Sequence, residues 1–483
     1  MSLWNRKVIV SNNEVTSSIY LTAKQSLLPN ALVTALFLLW GFAYGLLSVL
    51  NSRFQSALSI SGFMASGLSA AYFGAYFICP PTISSWILRR YGFRITFMTG
   101  LAVLAIGCLL FWPSGIKKSF GGFCGSMFVV GAGRKSLSNA ITTLPFGQNS
   151  HRIIQSQPLK PVQTRSSPSV APPKYSEIRL NLAQAVQGAG SFAAPLLASR
   201  VFFANTIDDE QGLRNVQWVY LGVAGFVVLL IAAFFFAPFP EITDADMDYQ
   251  EGRISKYDPG PFREQYNLFL AIWSQFCYVG AQVSIANYFI SFCMEAGKSK
   301  AEASDLLAVG QGLFVANRFI AGGLMTASFF RPRYILAVYL GLCAVLTIPA
   351  ITVSGNVSIA MLILVLCFES ACFATIFTLG LRGLGRHTKR GGSLLVAAIS
   401  GGCVFPPMAG AVMERKSAHV AMAIPLMGFV LAWVYPLYVN VFKRDMMDAH
   451  RDSQFGVQHT DDKELQLEAA QEDNRAQRDL EIK

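Results

Sequence analysis

Residues 240–265 read PEITDADMDYQEGRISKYDPGPFREQ, a polar stretch carrying Pro, Gly and both signs of charge in the middle of an otherwise apolar chain. Its position decides the fold. Six apolar runs precede it, near 30–50, 66–88, 95–112, 179–203 and 217–238, with a shorter one starting at Phe120. Six follow it, near 266–292, 305–329, 334–353, 359–381, 391–413 and 420–442. A helix needs about 20 residues to cross the ~30 Å hydrocarbon core, and nearly all of these runs are close to that length. Short basic segments follow the second run of each half, RRYGFR at 89–94 and RPRY at 331–334. The reading is therefore an all-α membrane protein with twelve transmembrane helices in two parallel six-helix halves.

Composition leads to the same class. The chain is 53% hydrophobic and only 14% charged, with a mean hydropathy of +0.42, more apolar surface than a soluble core of 483 residues hides. The formal charge of +11 does not indicate a nucleic-acid partner, because the basic residues fall in segments between apolar runs. The positive-inside rule accounts for them and sets both termini in the cytoplasm. The first run begins after about thirty polar residues and lacks a small-residue cleavage site, so it reads as a retained helix. The nine cysteines lie in or beside apolar runs without metal-type spacing, and neither a disulfide nor a cofactor is expected. No nucleophile with its base, metal cluster or phosphate loop marks an enzyme.

The organisation that follows is a cytoplasmic segment at 1–29, an N-terminal half at 30–239, a cytoplasmic central loop at 240–265, a C-terminal half at 266–442 and a charged cytoplasmic tail at 443–483. In such an architecture a substrate site lies near the bilayer midplane between the halves, so polar residues inside spans are informative. Three spans carry polar stripes. The first has Trp40, Tyr44, Ser48, Asn51 and Gln55 at helical spacing, the fifth has Asn181, Gln184 and Gln187, and the seventh has Gln275, Tyr278 and Gln282. Amides exchange hydrogen bonds with hydroxyls in both directions, and aromatic rings cover the apolar face of a pyranose, so the set suits a sugar. The competing reading is that these amides only join helices.

Charges inside the spans narrow the mechanism. Between Glu14 and Glu177 there is no Asp or Glu, so the first four spans contain no proton-carrying carboxylate. Glu369, in LCFESACFATIFTLG, is the clearest intramembrane acid and the candidate proton carrier or sugar acceptor. Alternatively it forms a buried ion pair with Arg318 of the eighth span.

With these residues in hand, the chain resembles the fucose permease branch of the major facilitator superfamily, its fungal members in particular. The resemblance is carried by LLWGFAYGLLSVLNSRFQ (38–55), RLNLAQAVQGAGSF (179–192), QFCYVGAQ (275–282) and TIFTLGLRGLGRHTKRGGS (375–393). It implies the major facilitator fold, a hexose or 6-deoxyhexose substrate moved with a proton through a site including the residues above, and a plasma-membrane location. A monomer is expected, its partners being a small sugar, protons and the lipid bilayer. Two departures bear on coupling. Ser48 stands where the family usually has an intramembrane Asp, and RKSLSNAITTLPFG replaces a fourth-helix motif that normally carries a Glu. Weak or absent proton coupling is expected. A non-transporting sugar sensor or a defective paralogue is the alternative; an exporter of lipophilic drugs fits the amide stripes poorly.

The fourth span is the weak point of the pattern. Its apolar part from Phe120 to Gly133 covers only about 21 Å at 1.5 Å per residue. Continuing it through Arg134 and Lys135 places two cations near mid-helix, at about 5–7 kcal/mol on insertion scales. Beyond lies a basic, Pro/Ser-rich insert over 134–173 that is foreign to the family pattern. It reads as a misread stretch of gene, or as a divergent cytoplasmic loop after a shortened helix.

Overall fold

Proline and charge, more than hydrophobicity, decide where the helices of this chain stop. The computed structural model describes residues 32, 34–42, 45, 62–117, 119–143, 185–194, 210–236, 260–325, 330–384, 387–444 and 447. Among these there is no strand. In chain order the helices are α1 (34–42), α2 (Gly62–Ile78), α3 (Ser85–Ile116), α4 (Phe120–Thr143), α5 (185–194) and α6 (Glu210–Phe236). The second half follows with α7 (Tyr266–Glu295), α8 (Lys300–Leu324), α9 (Pro332–Thr352), α10 (Asn356–Leu381), α11 (Arg390–Arg415) and α12 (Ala418–Val441). Among the described residues seven helices are long and apolar enough to cross a membrane, one within α3 (Arg94–Ile116), one within α8 (Glu302–Leu324), and α7 and α9 to α12. Outward-facing residues are apolar, as at Leu229 and Phe236 of α6, Val338 of α9 and Val441 of α12. The protein is a multi-pass membrane protein.

Two junctions differ from the sequence reading. The basic segment RRYGFR, expected as a loop between the second and third spans, lies inside α3. The break falls earlier, at a π-helical turn over Pro80–Ser84, because neither Pro80 nor Pro81 can donate a backbone N–H while 89–94 contains no proline. The fourth span does not falter at Arg134 either. α4 runs unbroken for 24 residues to Thr143, about 36 Å of helix. It tolerates the cation because Arg134 turns inward: its guanidinium carbon sits 5.5 Å from the Trp40 ring and 5.3 Å from the Tyr72 ring, and the residue is 5% exposed. A desolvated cation–π contact is worth about 2 kcal/mol, enough for two rings to offset an insertion penalty of about 3 kcal/mol. The insert beyond Thr143, like most of the central loop and the tail past Met447, lies outside the described residues.

Within the N-terminal half α3 packs against α4 and α6. Phe111 stacks on Tyr220 at 3.9 Å, Phe97 meets Phe234 at 5.2 Å, and the Arg94 Nε donates to the Phe234 carbonyl at 3.2 Å, capping the exit of α6. α1 and α5 touch backbone to backbone at Gly41 and Gly190. A Cβ on Gly41 would fall on the Gln187 carbonyl oxygen, and one on Gly190 on that of Leu38. α7 organises the other half, packing against α10, α11 and α12. Asn267 donates to the Leu379 carbonyl at 3.0 Å and accepts from the Tyr435 hydroxyl at 3.2 Å, while the Ser274 hydroxyl donates to the Ala432 carbonyl at 2.8 Å. The halves meet where α2 lies along α11 and bonds across to α7. Phe73 packs over Gly402, whose added Cβ would come within 2.7 Å of the ring, and the Asn287 side-chain amide donates to Ser69 Oγ at 3.1 Å.

The backbone contact between α1 and α5 makes Gly41 the least replaceable glycine of that interface. Gly41→Ala should sharply lower the thermal midpoint of the detergent-solubilised protein. Gly222→Ala and Gly225→Ala, where no atom lies within 4 Å of an added Cβ, should hold it or raise it slightly. Equal midpoints for all three would contradict the close packing.

Candidate functional site

α10 is interrupted in its middle. Residues Glu369–Ala371 form a 3₁₀ turn between the α-helical stretches Asn356–Phe368 and Cys372–Leu381. Tightening the helix there redirects carbonyls that a regular α-helix would hold in its own ladder. Side chains of α7 and α8 take them up. The Tyr278 hydroxyl donates to the Glu369 carbonyl at 2.6 Å, the Arg318 Nε to the Ser370 carbonyl at 2.8 Å and the Asn317 amide to the Cys367 carbonyl at 2.9 Å. Asn317 also donates to Ser370 Oγ at 3.1 Å and accepts from the Tyr339 hydroxyl at 3.2 Å, tying α8, α9 and α10 at one point.

The Glu369 carboxyl is 2% exposed and sits in this cluster. Its Oε1 accepts from the Gln282 amide at 3.3 Å, and its Oε2 has no hydrogen-bond partner. Arg318 is buried in the same cluster. Its guanidinium lies 4.5 Å from the Phe314 ring, and its hydrogen bond goes to the Ser370 backbone. One turn back on α7, Gln275 is wholly buried and neither amide atom has a partner. Buried polar groups are normally satisfied. Glu369 Oε2 and Gln275 are therefore where a hydroxylated ligand, a proton or water would be received.

Of the seventh-span stripe, Tyr278 and Gln282 both bond to Glu369, its backbone carbonyl and its carboxyl, while Gln275 is buried on the same helix. In the N-terminal half Trp40 is buried, with its indole N–H unpartnered, and its ring lies against Arg134. Gln187 is half-buried on α5, where its carbonyl accepts from the Ser191 hydroxyl at 3.3 Å. Tyr44, Asn51, Asn181 and Gln184 lie outside the described residues. Sequence reasoning missed Asn317 as a junction and Tyr72 as a ring partner. Asn317 signalled itself only as a polar residue next to Arg318 in an apolar run, whereas nothing in the sequence sets Tyr72 apart from the other aromatics of an apolar face.

No protein-family model matches the chain. It is 26% identical over 434 residues to the L-fucose-proton symporter of Escherichia coli K12, covering 86% of this chain and 93% of that protein. It is 27% identical over 417 residues to a glucose/galactose transporter of Brucella abortus biovar 1, covering 84% and 92%. The structure superimposes on the crystal structure of the major facilitator superfamily transporter FucP in the outward conformation with a TM-score of 0.66 and 25% identity, covering 86% of this chain and 99% of that one. The fold is the major facilitator fold, and these relatives are transporters, not enzymes.

Asn317 is the polar residue whose loss strands the most partners. Asn317→Leu should cost about 1–3 kcal/mol of stability, read as a lower midpoint in detergent, because the Cys367 carbonyl, Ser370 Oγ and Tyr339 hydroxyl lose their bonds together. An unchanged midpoint would mean that α8, α9 and α10 are held otherwise.

Proposed function

We propose that this protein is a fucose permease-type sugar carrier, moving a hexose-sized sugar by alternating access between its two halves. The observation that carries this reading is the amide-and-tyrosine face of α7 closing on the buried Glu369, with unpartnered groups left at Glu369 Oε2 and Gln275. Amides, a carboxyl and aromatic rings are what a polyol needs. The similarity to an L-fucose-proton symporter and a glucose/galactose transporter over most of the chain supports the same class. Trp40, Tyr44, Asn51, Asn181, Gln184 and Gln187 on the N-terminal side, with Gln275, Tyr278, Gln282 and Glu369 on the other, form the sugar-binding set.

Proton coupling is weak or absent on this reading. The first four spans hold no carboxylate, and Arg134 occupies α4 where an acid would take the proton. Glu369 is left as the one candidate carrier, and transport is facilitated diffusion across the plasma membrane by a monomer with both termini in the cytoplasm.

In proteoliposomes with the membrane potential clamped, labelled hexose-sized sugars should equilibrate and not accumulate when an inward proton gradient is imposed. Accumulation that an uncoupler abolishes would sink the uniport reading, and its loss in Glu369→Gln would then assign the proton to Glu369. Binding without any counterflow would favour a sugar sensor.

A further inference from the structure

An amide that only joins helices bonds to the helix beside it, and in the C-terminal half Asn267, Gln282, Asn317 and Asn440 all do so. Gln275 of α7 is different. It is wholly buried, yet neither its Oε1 nor its Nε2 has a hydrogen-bond partner. The helix is anchored on both sides without it, by the Ser274 hydroxyl on the Ala432 carbonyl at 2.8 Å and the Tyr278 hydroxyl on the Glu369 carbonyl at 2.6 Å. Leaving a buried amide unpaired destabilises the empty protein, so its use lies in the loaded one. Gln282, whose amide holds the Glu369 carboxyl at 3.3 Å, stands seven residues further on. Two turns of helix put Gln275 and Gln282 on one face of α7, about 10.5 Å apart along it.

We propose that Gln275 is the specificity-determining residue of the carrier, its amide reading two hydroxyls on adjacent carbons of the sugar. The proposal rests on the sugar-carrier reading and deepens it. A primary amide sets an acceptor and a donor side by side on one carbon, and a hydroxyl both donates and accepts. One hydroxyl of a neighbouring pair donates to Oε1 while the other accepts from Nε2, and both open atoms are satisfied together. Such a site rejects a sugar lacking either hydroxyl far more strongly than an apolar pocket rejects a missing methylene, because the abandoned amide atom stays buried and unpaired. Glu369 Oε2, the other open group of this half, lies toward Gln282 and receives a different part of the ring. Gln275 is covered in the state described, so the sugar reaches it as the halves rock.

The test uses the full chain in liposomes, whichever of labelled D-glucose, D-galactose and L-fucose it takes up best, and competition by the monodeoxy analogues of that sugar. Two analogues missing neighbouring hydroxyls should compete at least about tenfold less well than the parent. In Gln275→Met, of similar length and without the amide, the KM of the parent should rise about tenfold or more and those two analogues should compete as well as the parent, the order of the others being kept. The same variant should hold or raise the thermal midpoint of the sugar-free protein in detergent, whereas loss of a helix-joining amide lowers it. Should Gln275→Met fail to fold, the analogue series on the native protein decides. A single sensitive hydroxyl, a sensitive pair that is not adjacent, or a variant that keeps the native analogue preference overturns the proposal and leaves the sugar carrier standing. If none of the three sugars moves, the carrier reading falls with it.

Discussion

A lipid-embedded backbone has no water to fall back on, so every carbonyl freed from a helix ladder must find a donor within the protein. The 3₁₀ turn at Glu369–Ala371 creates that need in the middle of α10, and the arrangement of the C-terminal half follows from it. Tyr278, Arg318 and Asn317 are drawn to the redirected carbonyls, which fixes α7 and α8 against α10. Glu369, at the turn itself, is thereby held in a polar pocket it could not have on a straight apolar helix. The acid and the irregularity that accommodates it come together.

The N-terminal half solves a comparable problem by other means. Its buried charge is met by aromatic faces, which need no redirected backbone, and α4 accordingly stays regular through Arg134. Its helices come close through glycine, as at Gly41 and Gly190, where association in lipid depends on surface contact rather than on expulsion of water. Between the halves α2 packs along α11 as closely as helices do within a half, with a phenyl ring over Gly402, and the Asn287 amide of α7 bonds to Ser69 of α2.

Much of this was legible in the sequence because span length and period are local properties. The all-α class and the six-and-six division needed only hydropathy and the polar stretch at 240–265. That Tyr278 and Gln282 share a face of α7 needed only helical spacing. What was not legible depended on orientation. RRYGFR resembled a loop because charge often marks a span boundary, yet Pro80 and Pro81 set the break, since a missing donor ends a helix where a charge merely prefers its edge. Arg134 seemed disqualifying because an insertion scale charges a cation for an average lipid-facing environment. Whether it meets two rings depends on Trp40 and Tyr72, far away in sequence.

A base inside α4 bears on proton coupling differently from an acid. A carboxylate that takes a proton with its sugar crosses the membrane neutral, and the proton gradient thereby enters the transport cycle. A guanidinium does not release its proton inside a protein, so Arg134 is charged in every state of such a cycle. Each elementary charge moved across the field is worth about 2.3 kcal/mol per 100 mV, so any displacement of Arg134 along the field as the protein changes state would respond to membrane voltage.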